Sequence, residues 1–159
     1  MSKPAHVCPD CGASWPDGAN CENALHQMLV WEYENPPLWA GHHLLVLCYY
    51  LQHPRLYSPA GLTDAQQILT AFVVQGVPPE EILRRNRAVL ASGKRDWKIT
   101  GTATVYGAYQ YPLRWPMTAA AVLVGGVNSY CDNVRAWAES IHATLRASGN
   151  LAAGGHYAV

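Results

Sequence analysis

Three of the five cysteines, Cys8, Cys11 and Cys21, fall within fourteen residues near the N-terminus, and no other feature limits the fold so strongly. Cys8-Pro9-Asp10-Cys11-Gly12 sets two thiols two residues apart on a tight turn, the arrangement with which a short loop grips one cation. Gly12 lets the backbone curl until its amides face the sulfurs. An odd cysteine count and an N-terminus, Met1 to His6, without the apolar core of a secretory signal argue against a disulfide framework and for the cytoplasm. Thiolates there favour zinc over an iron–sulfur cluster. A redox Cys-x-x-Cys pair is the competing reading, but it belongs beside a βαβ pattern, which the surrounding sequence lacks. Cys48 and Cys131 lie in apolar stretches and read as small buried hydrophobes.

Tetrahedral zinc needs a fourth ligand. His26 closes a Cys₃His set within one short segment and is the preferred choice, with the condition that Cys21 lies at or before the cap of the first helix. Inside a continuous helix the five-residue step from Cys21 to His26 turns by about 140°. His53 is the alternative. If the first two helices form an antiparallel hairpin about Asn35-Pro36-Pro37, residues whose numbers sum to roughly 74 lie level, which sets Cys21 beside His53 and Glu32 beside His42.

The remainder reads as mainly α. Leu25, Met28, Leu29 and Glu32 share one face of a first helix, with Glu32 a carboxylate on an apolar stripe. A second helix is expected over Leu38–Gln52, apolar nearly all round and therefore central. Thr63 with Gln66 has the form of a capping box for a third helix ending at Gly76. Pro78-Pro79-Glu80-Glu81 opens a fourth, ending near Gly93. From Trp97 to Tyr111 the β-branched and aromatic residues predict a short hairpin or an extended arm. Thr118 starts a short helix broken by Gly125-Gly126. A last helix over 128–147 carries Val134, Trp137, Ala138, Ile141 and Leu145 on its apolar face, and the tail after Gly149 is expected to fray. The expected fold is a compact helical bundle in one domain, 1–159. Its parts are a metal-binding N-terminal segment (1–26), a helical core (22–94), a hairpin or arm (97–117) and C-terminal helices (118–147).

A buried Glu32 needs a partner, and His42 is the one the hairpin supplies. Carboxylate and imidazole at close range shift each other's titration, so Glu32, His42 and, at the far end of the same stripe, His53 are the candidates for acid–base catalysis. A satisfied structural pair is the preferred reading. His42 and His53 lie about 16 Å apart on one helix, so they cannot share a metal. His42 and His43 diverge by about 100°, so only one faces the first helix.

Half of the residues are hydrophobic and 14% are charged, which supports a packed core and excludes a disordered chain. Eleven basic residues balance eleven acidic ones, so no global field draws nucleic acid or anionic lipid. The longest apolar run, Leu44 to Leu51, is too short to span a membrane. Charge is uneven: through residue 54 only Lys3 opposes five acidic residues, whereas 84–98 hold six basic residues and Asp96. That segment suits a phosphate- or nucleic-acid-binding face, but a solvated helix end is preferred.

Cys-Pro-Asp-Cys-Gly, Asp17-Gly18, His26-Gln27-Met28-Leu29 with Glu32, and the run His42-His43-Leu44-Leu45-Val46-Leu47-Cys48-Tyr49-Tyr50-Leu51-Gln52-His53-Pro54 resemble a bacterial family of unknown function. Trp97-Lys98-Ile99-Thr100-Gly101 and Trp115-Pro116-Met117-Thr118 carry the resemblance over most of the chain. It implies a small metal-containing cytosolic protein and no particular activity. The expected role is a zinc-stabilised interaction or ligand-binding module whose partner is a protein or a small molecule. The alternatives are an acid–base or metal-dependent enzyme and a phosphate-binding adaptor.

Overall fold

The computed structural model describes residues 5–16 and 18–153. Lys3, Asp17 and the last residues of the tail, on which some of the expectations above fall, lie outside the described residues. Two strands and six α-helices are described: β1 (His6–Val7), β2 (Ser14–Trp15), α1 (Cys21–Glu34), α2 (His42–Gln52), α3 (Pro59–Val73), α4 (Pro79–Ala91), α5 (Ala119–Gly125) and α6 (Tyr130–Ser148).

The fold is mainly α, and among the described residues its one small antiparallel hairpin is at the cysteine loop. There His6 pairs with Trp15 and Val7 with Ser14. Residues 97–117 take the other expected form, an extended arm, with a single antiparallel bridge between Tyr57 and Thr100. Apart from a turn in which Thr102 N donates to Val105 O, the arm directs its backbone groups to the α2–α3 connection. Ile99 O accepts from Ser58 N at 2.8 Å, Gly101 N donates to Leu56 O at 3.0 Å, and Gly107 N donates to Tyr57 O at 2.7 Å. Such an arm needs close backbone approach, and glycines provide it. A Cβ on Gly101 would lie 2.5 Å from Arg55 O and 2.6 Å from Tyr57 O.

α1 starts at Cys21 because Asn20 caps it: the Asn20 side chain accepts from Asn23 N, and the Asn23 side chain accepts from Asn20 N. The two prolines after Asn35 set a six-residue 3₁₀ turn, Pro36–Gly41, so the α-helical part of the second helix begins at His42 and not at Leu38. α3 starts four residues before the expected Thr63. Ser58 accepts from Gly61 N at 2.9 Å, and Pro59 fits the first turn, where no amide donor is required. Thr63 is already inside the helix, donating to Pro59 O.

α6 supplies the longest buried face: Tyr130, Val134, Trp137, Ala138, Ile141, His142 and Leu145 recur at helical spacing. α2 packs against it with Leu45, Cys48 and Leu51, all fully buried, and α3 adds Leu69. α1 brings Met28 and α5 brings Val122 to the same core. Each aliphatic side chain of this kind contributes about 1.5–3 kcal/mol through burial. Among the described residues no helix is long and apolar enough to cross a membrane.

One substitution tests the docking of the arm. A Cβ on Gly61 would strike the Ile99 carbonyl oxygen, a backbone atom that cannot swing aside. Gly61→Ala should therefore lower stability by about 1–3 kcal/mol, although alanine is the better helix former by about 1 kcal/mol. Urea denaturation decides the sign; a stabilised variant would show that the arm does not lie there.

Candidate functional site

The turn after β1 curls back on itself through Cys8 N to Ala13 O at 2.8 Å and Gly12 N to Cys8 O at 2.9 Å. Gly12 has a φ of 79°, which a residue with a side chain adopts only at a cost. This curl turns the Cys8 and Cys11 thiols inward, and Ala13 N points at the Cys11 sulfur at 3.5 Å. Cys21, the first residue of α1, faces them: its Sγ lies 3.5 Å from that of Cys11. Trp15, on β2, donates its ring N–H to the Cys21 sulfur at 3.2 Å.

The fourth group is His53, the residue that ends α2. Its Nε2 lies 3.6 Å from the Cys8 sulfur. A carbonyl only accepts, so the 2.6 Å contact of His53 Nδ1 with Tyr49 O places the ring proton on Nδ1 and leaves the Nε2 lone pair toward the thiols. The Tyr49 ring stacks on the imidazole at 4.3 Å and holds its plane. Ligand atoms of Cys8, Cys11, Cys21 and His53 all lie within 4.8 Å of one another, and all four residues are buried.

His26 is not in this group. Cys21 is already helical, so the five-residue step carries His26 around the helix and into solvent, with 63% of its side chain exposed. There its imidazole lies 3.9 Å from the Glu22 carboxylate. The hairpin pairing, and not the short sequence spacing, identifies the imidazole that meets the thiols. His53 is for the same reason apart from the other catalytic candidates, Glu32 and His42.

Donor set and spacing fit a tetrahedral dication. A Zn–S bond of about 2.3 Å gives sulfur–sulfur edges of about 3.8 Å, close to the observed 3.5 Å. Burial opposes a charge on His53, but hydrogen bonds to the Cys21 sulfur, the Tyr49 carbonyl and the Cys8 sulfur outweigh it and push its pKa up to about 9. The hydrogen bond with Cys11 draws Cys21 down to about 4 against its burial, with further help from His53 and Trp15. Cys11 is pushed up by the same bond. Cys48 stands apart, fully buried, with its thiol pushed far up by burial alone.

The second constellation lies at the other end of the α1–α2 hairpin. Glu32 is 2% exposed. His42 Nδ1 donates to its Oε2 at 2.7 Å, and the Tyr130 hydroxyl donates to its Oε1. Both carboxylate oxygens therefore have a donor. The His42 ring stacks on Trp39 at 4.0 Å and meets the His43 ring edge-on at 5.6 Å. Burial, with the neighbouring His42 adding to it, holds His43 below the ordinary histidine pKa. A cavity of about 190 Å³ opens beside both imidazoles, between α2, α3 and α4.

Sequence reasoning missed Trp15 and Tyr130. Tyr130 left one local signal, a hydroxyl at the start of an otherwise apolar helical stripe. Its partner, Glu32, is 98 residues away. The basic segment 84–98 is partly spent on local pairs. Arg84 and Arg85 both reach the Glu81 carboxylate, at 2.6 Å and 2.9 Å, and Arg95 lies over the Trp97 ring.

Tyr130→Phe removes one donor from a buried carboxylate and leaves the packing in place. It should cost about 1–3 kcal/mol of stability; an unchanged denaturation midpoint would show that the hydroxyl does not serve Glu32.

Among known families, the model of one described as a family of unknown function (DUF5946) matches residues 6–146, from β1 to the last turn of α6. No curated protein and no solved structure matches the chain.

Proposed function

The chain belongs to this family of unknown function, DUF5946, and from that premise we propose that it is a zinc-stabilised helical module for binding a small molecule. The observation that carries the reading is the convergence of Cys8, Cys11, Cys21 and His53 on one buried point. Four protein ligands fill a tetrahedral zinc and leave no position for substrate, which is the mark of a structural site. The metal would neutralise the buried thiolates and tie the cysteine hairpin to the end of α2. Few other groups hold that hairpin: its buried side chains are Cys8, Cys11, Ala13 and Trp15. Reduced cysteines are expected in the cytoplasm, which is where this reading places the protein.

Ligand binding is supported by the cavity beside His42 and His43, which joins apolar walls to a few polar groups. A second reading, an acid–base enzyme using Glu32 and His42, is favoured by one observation: the imidazole that Glu32 orients also lines that cavity.

Elemental analysis of protein made without added metal should find about one zinc per chain. His53→Ala should release it to a chelator far more readily than His26→Ala. Stripping the metal should lower the melting temperature by roughly 8–16 °C, taking a site filled at about a thousand times its Kd. Negligible zinc in a folded preparation would sink the metal site. The reverse order of the two histidine variants would move the fourth ligand to His26.

A further inference from the structure

A cleft of about 310 Å³ opens onto one side of the thiol cluster. Residues 8–12 form one wall, and Leu113, Arg114 and Trp115 of the arm form the other. Cys8 and Cys11 line it; Cys21 and His53 do not. The walls carry one carboxylate, Asp10, and one cation, Arg114, so a small neutral molecule enters against no net charge. At about 30 Å³ per water, the space holds on the order of ten waters, far more than a molecule the size of hydrogen peroxide requires.

Beside Cys11 stands a second sulfur. Its Sγ lies 3.5 Å from that of Cys21, and a disulfide needs about 2.05 Å, so closing the bond brings the two together by only about 1.5 Å. Cys21 is the first residue of α1, and its sulfur accepts the Trp15 ring N–H, which holds it in place. Cys8 shares the cleft, but its sulfur lies against His53 Nε2 at 3.6 Å. We propose that the cluster is an oxidant-sensing site: a hydroperoxide enters this cleft and is reduced by the Cys11 sulfur, Cys21 closes a disulfide with Cys11, and the metal is released.

The chemistry balances with hydrogen peroxide as the oxidant. The Cys11 thiolate attacks one peroxide oxygen; an S–O bond forms, the O–O bond breaks, and the departing hydroxide takes a proton from solvent and leaves as water. The Cys21 thiolate then attacks the Cys11 sulfur; the S–S bond forms, the S–O bond breaks, and a second hydroxide takes a second proton and leaves as water. Each sulfur gives up one electron, and the two peroxide oxygens accept them. A disulfide no longer supplies thiolates, so the site falls to two protein donors, Cys8 and His53, too few to close a tetrahedron. β1, β2 and their loop then lose their metal tie to the end of α2.

The assignment rests on the reading of the cluster as a zinc centre and adds a regulation to it. The test treats the zinc-loaded full chain with hydrogen peroxide. It follows zinc release with a colorimetric chelator, maps disulfides by mass spectrometry after alkylation, and follows amide hydrogen exchange over residues 6–15. One zinc should leave per disulfide, the disulfide should join Cys11 to Cys21, exchange in the hairpin should quicken, and dithiothreitol with added zinc should restore the starting state. Cys11 should react at least about tenfold faster than the half-buried Cys131, since a metal keeps its sulfur deprotonated. Cys21→Ser should let the Cys11 sulfenic acid persist long enough for dimedone to trap it; should that variant not fold, the disulfide map of the unaltered chain decides. Zinc retained with all three cysteines reduced, while Cys131 is oxidised, would overturn the proposal and leave the structural zinc standing. A disulfide made by Cys8, or Cys11 carried on to sulfinic acid with Cys21 free, would overturn the pair assignment. A chain isolated without zinc would count against the metal reading, and the disulfide map would still decide the pair.

Discussion

The Glu32 carboxylate sits out of water where α1, α2 and α6 meet, and the two donors that reach it determine how those helices approach one another. His42 comes from the first turn of α2 and Tyr130 from the first turn of α6. A buried carboxylate left with one donor pays much of its desolvation cost unrelieved, so helix arrangements that separate these groups are disfavoured by several kcal/mol. The same pair need not raise stability above that of an apolar replacement. Its effect is on which packing is adopted.

That constraint propagates along the α1–α2 hairpin. Eleven residues separate Cys21 from Glu32, and eleven separate His42 from His53. Eleven residues make about three helical turns, so both members of each helix fall on the same face, about 16 Å apart. In an antiparallel pair, joining Glu32 to His42 at one end sets Cys21 near His53 at the other. The thiol cluster then fastens β1, β2 and their loop to the bundle. Each end of one seam holds a polar group that an apolar interior would otherwise reject.

The seam also explains why the cavity carries an oriented imidazole. His42 is the point at which a buried carboxylate, held from behind by Tyr130, meets the space between α2, α3 and α4. The thiol cluster is closed by its own four residues and lies at the far end of α2. The thiol–imidazole cluster and the cavity are therefore separate in space and in chemistry: one gathers four groups able to hold a metal ion, the other is lined by His42 and His43 among apolar side chains.

Much of this was legible in the chain itself. Cys8, Cys11 and Cys21 announce a thiol cluster because the turn that joins them is local. The apolar stripe of α6 is readable because helical period is a property of neighbouring residues. Glu32 stands out as a carboxylate on such a stripe. Ser58-Pro59 held the start of α3, but the more familiar spacing of Thr63 and Gln66 drew the boundary too late. Three things required the tertiary structure. His53 joins the thiols, and His26 does not, because Cys21 is already in the helix and the partner is selected across the hairpin. Tyr130 reaches Glu32 over 98 residues because α6 packs where it does. Residues 97–117 have a strand-like composition but no paired strand of their own, because the backbone of the α2–α3 connection offers their donors and acceptors a nearer partner. Sequence by itself determined the local conformations and the kinds of group to be satisfied; which group satisfies which depended on the relative placement of distant segments, a property of the packed whole.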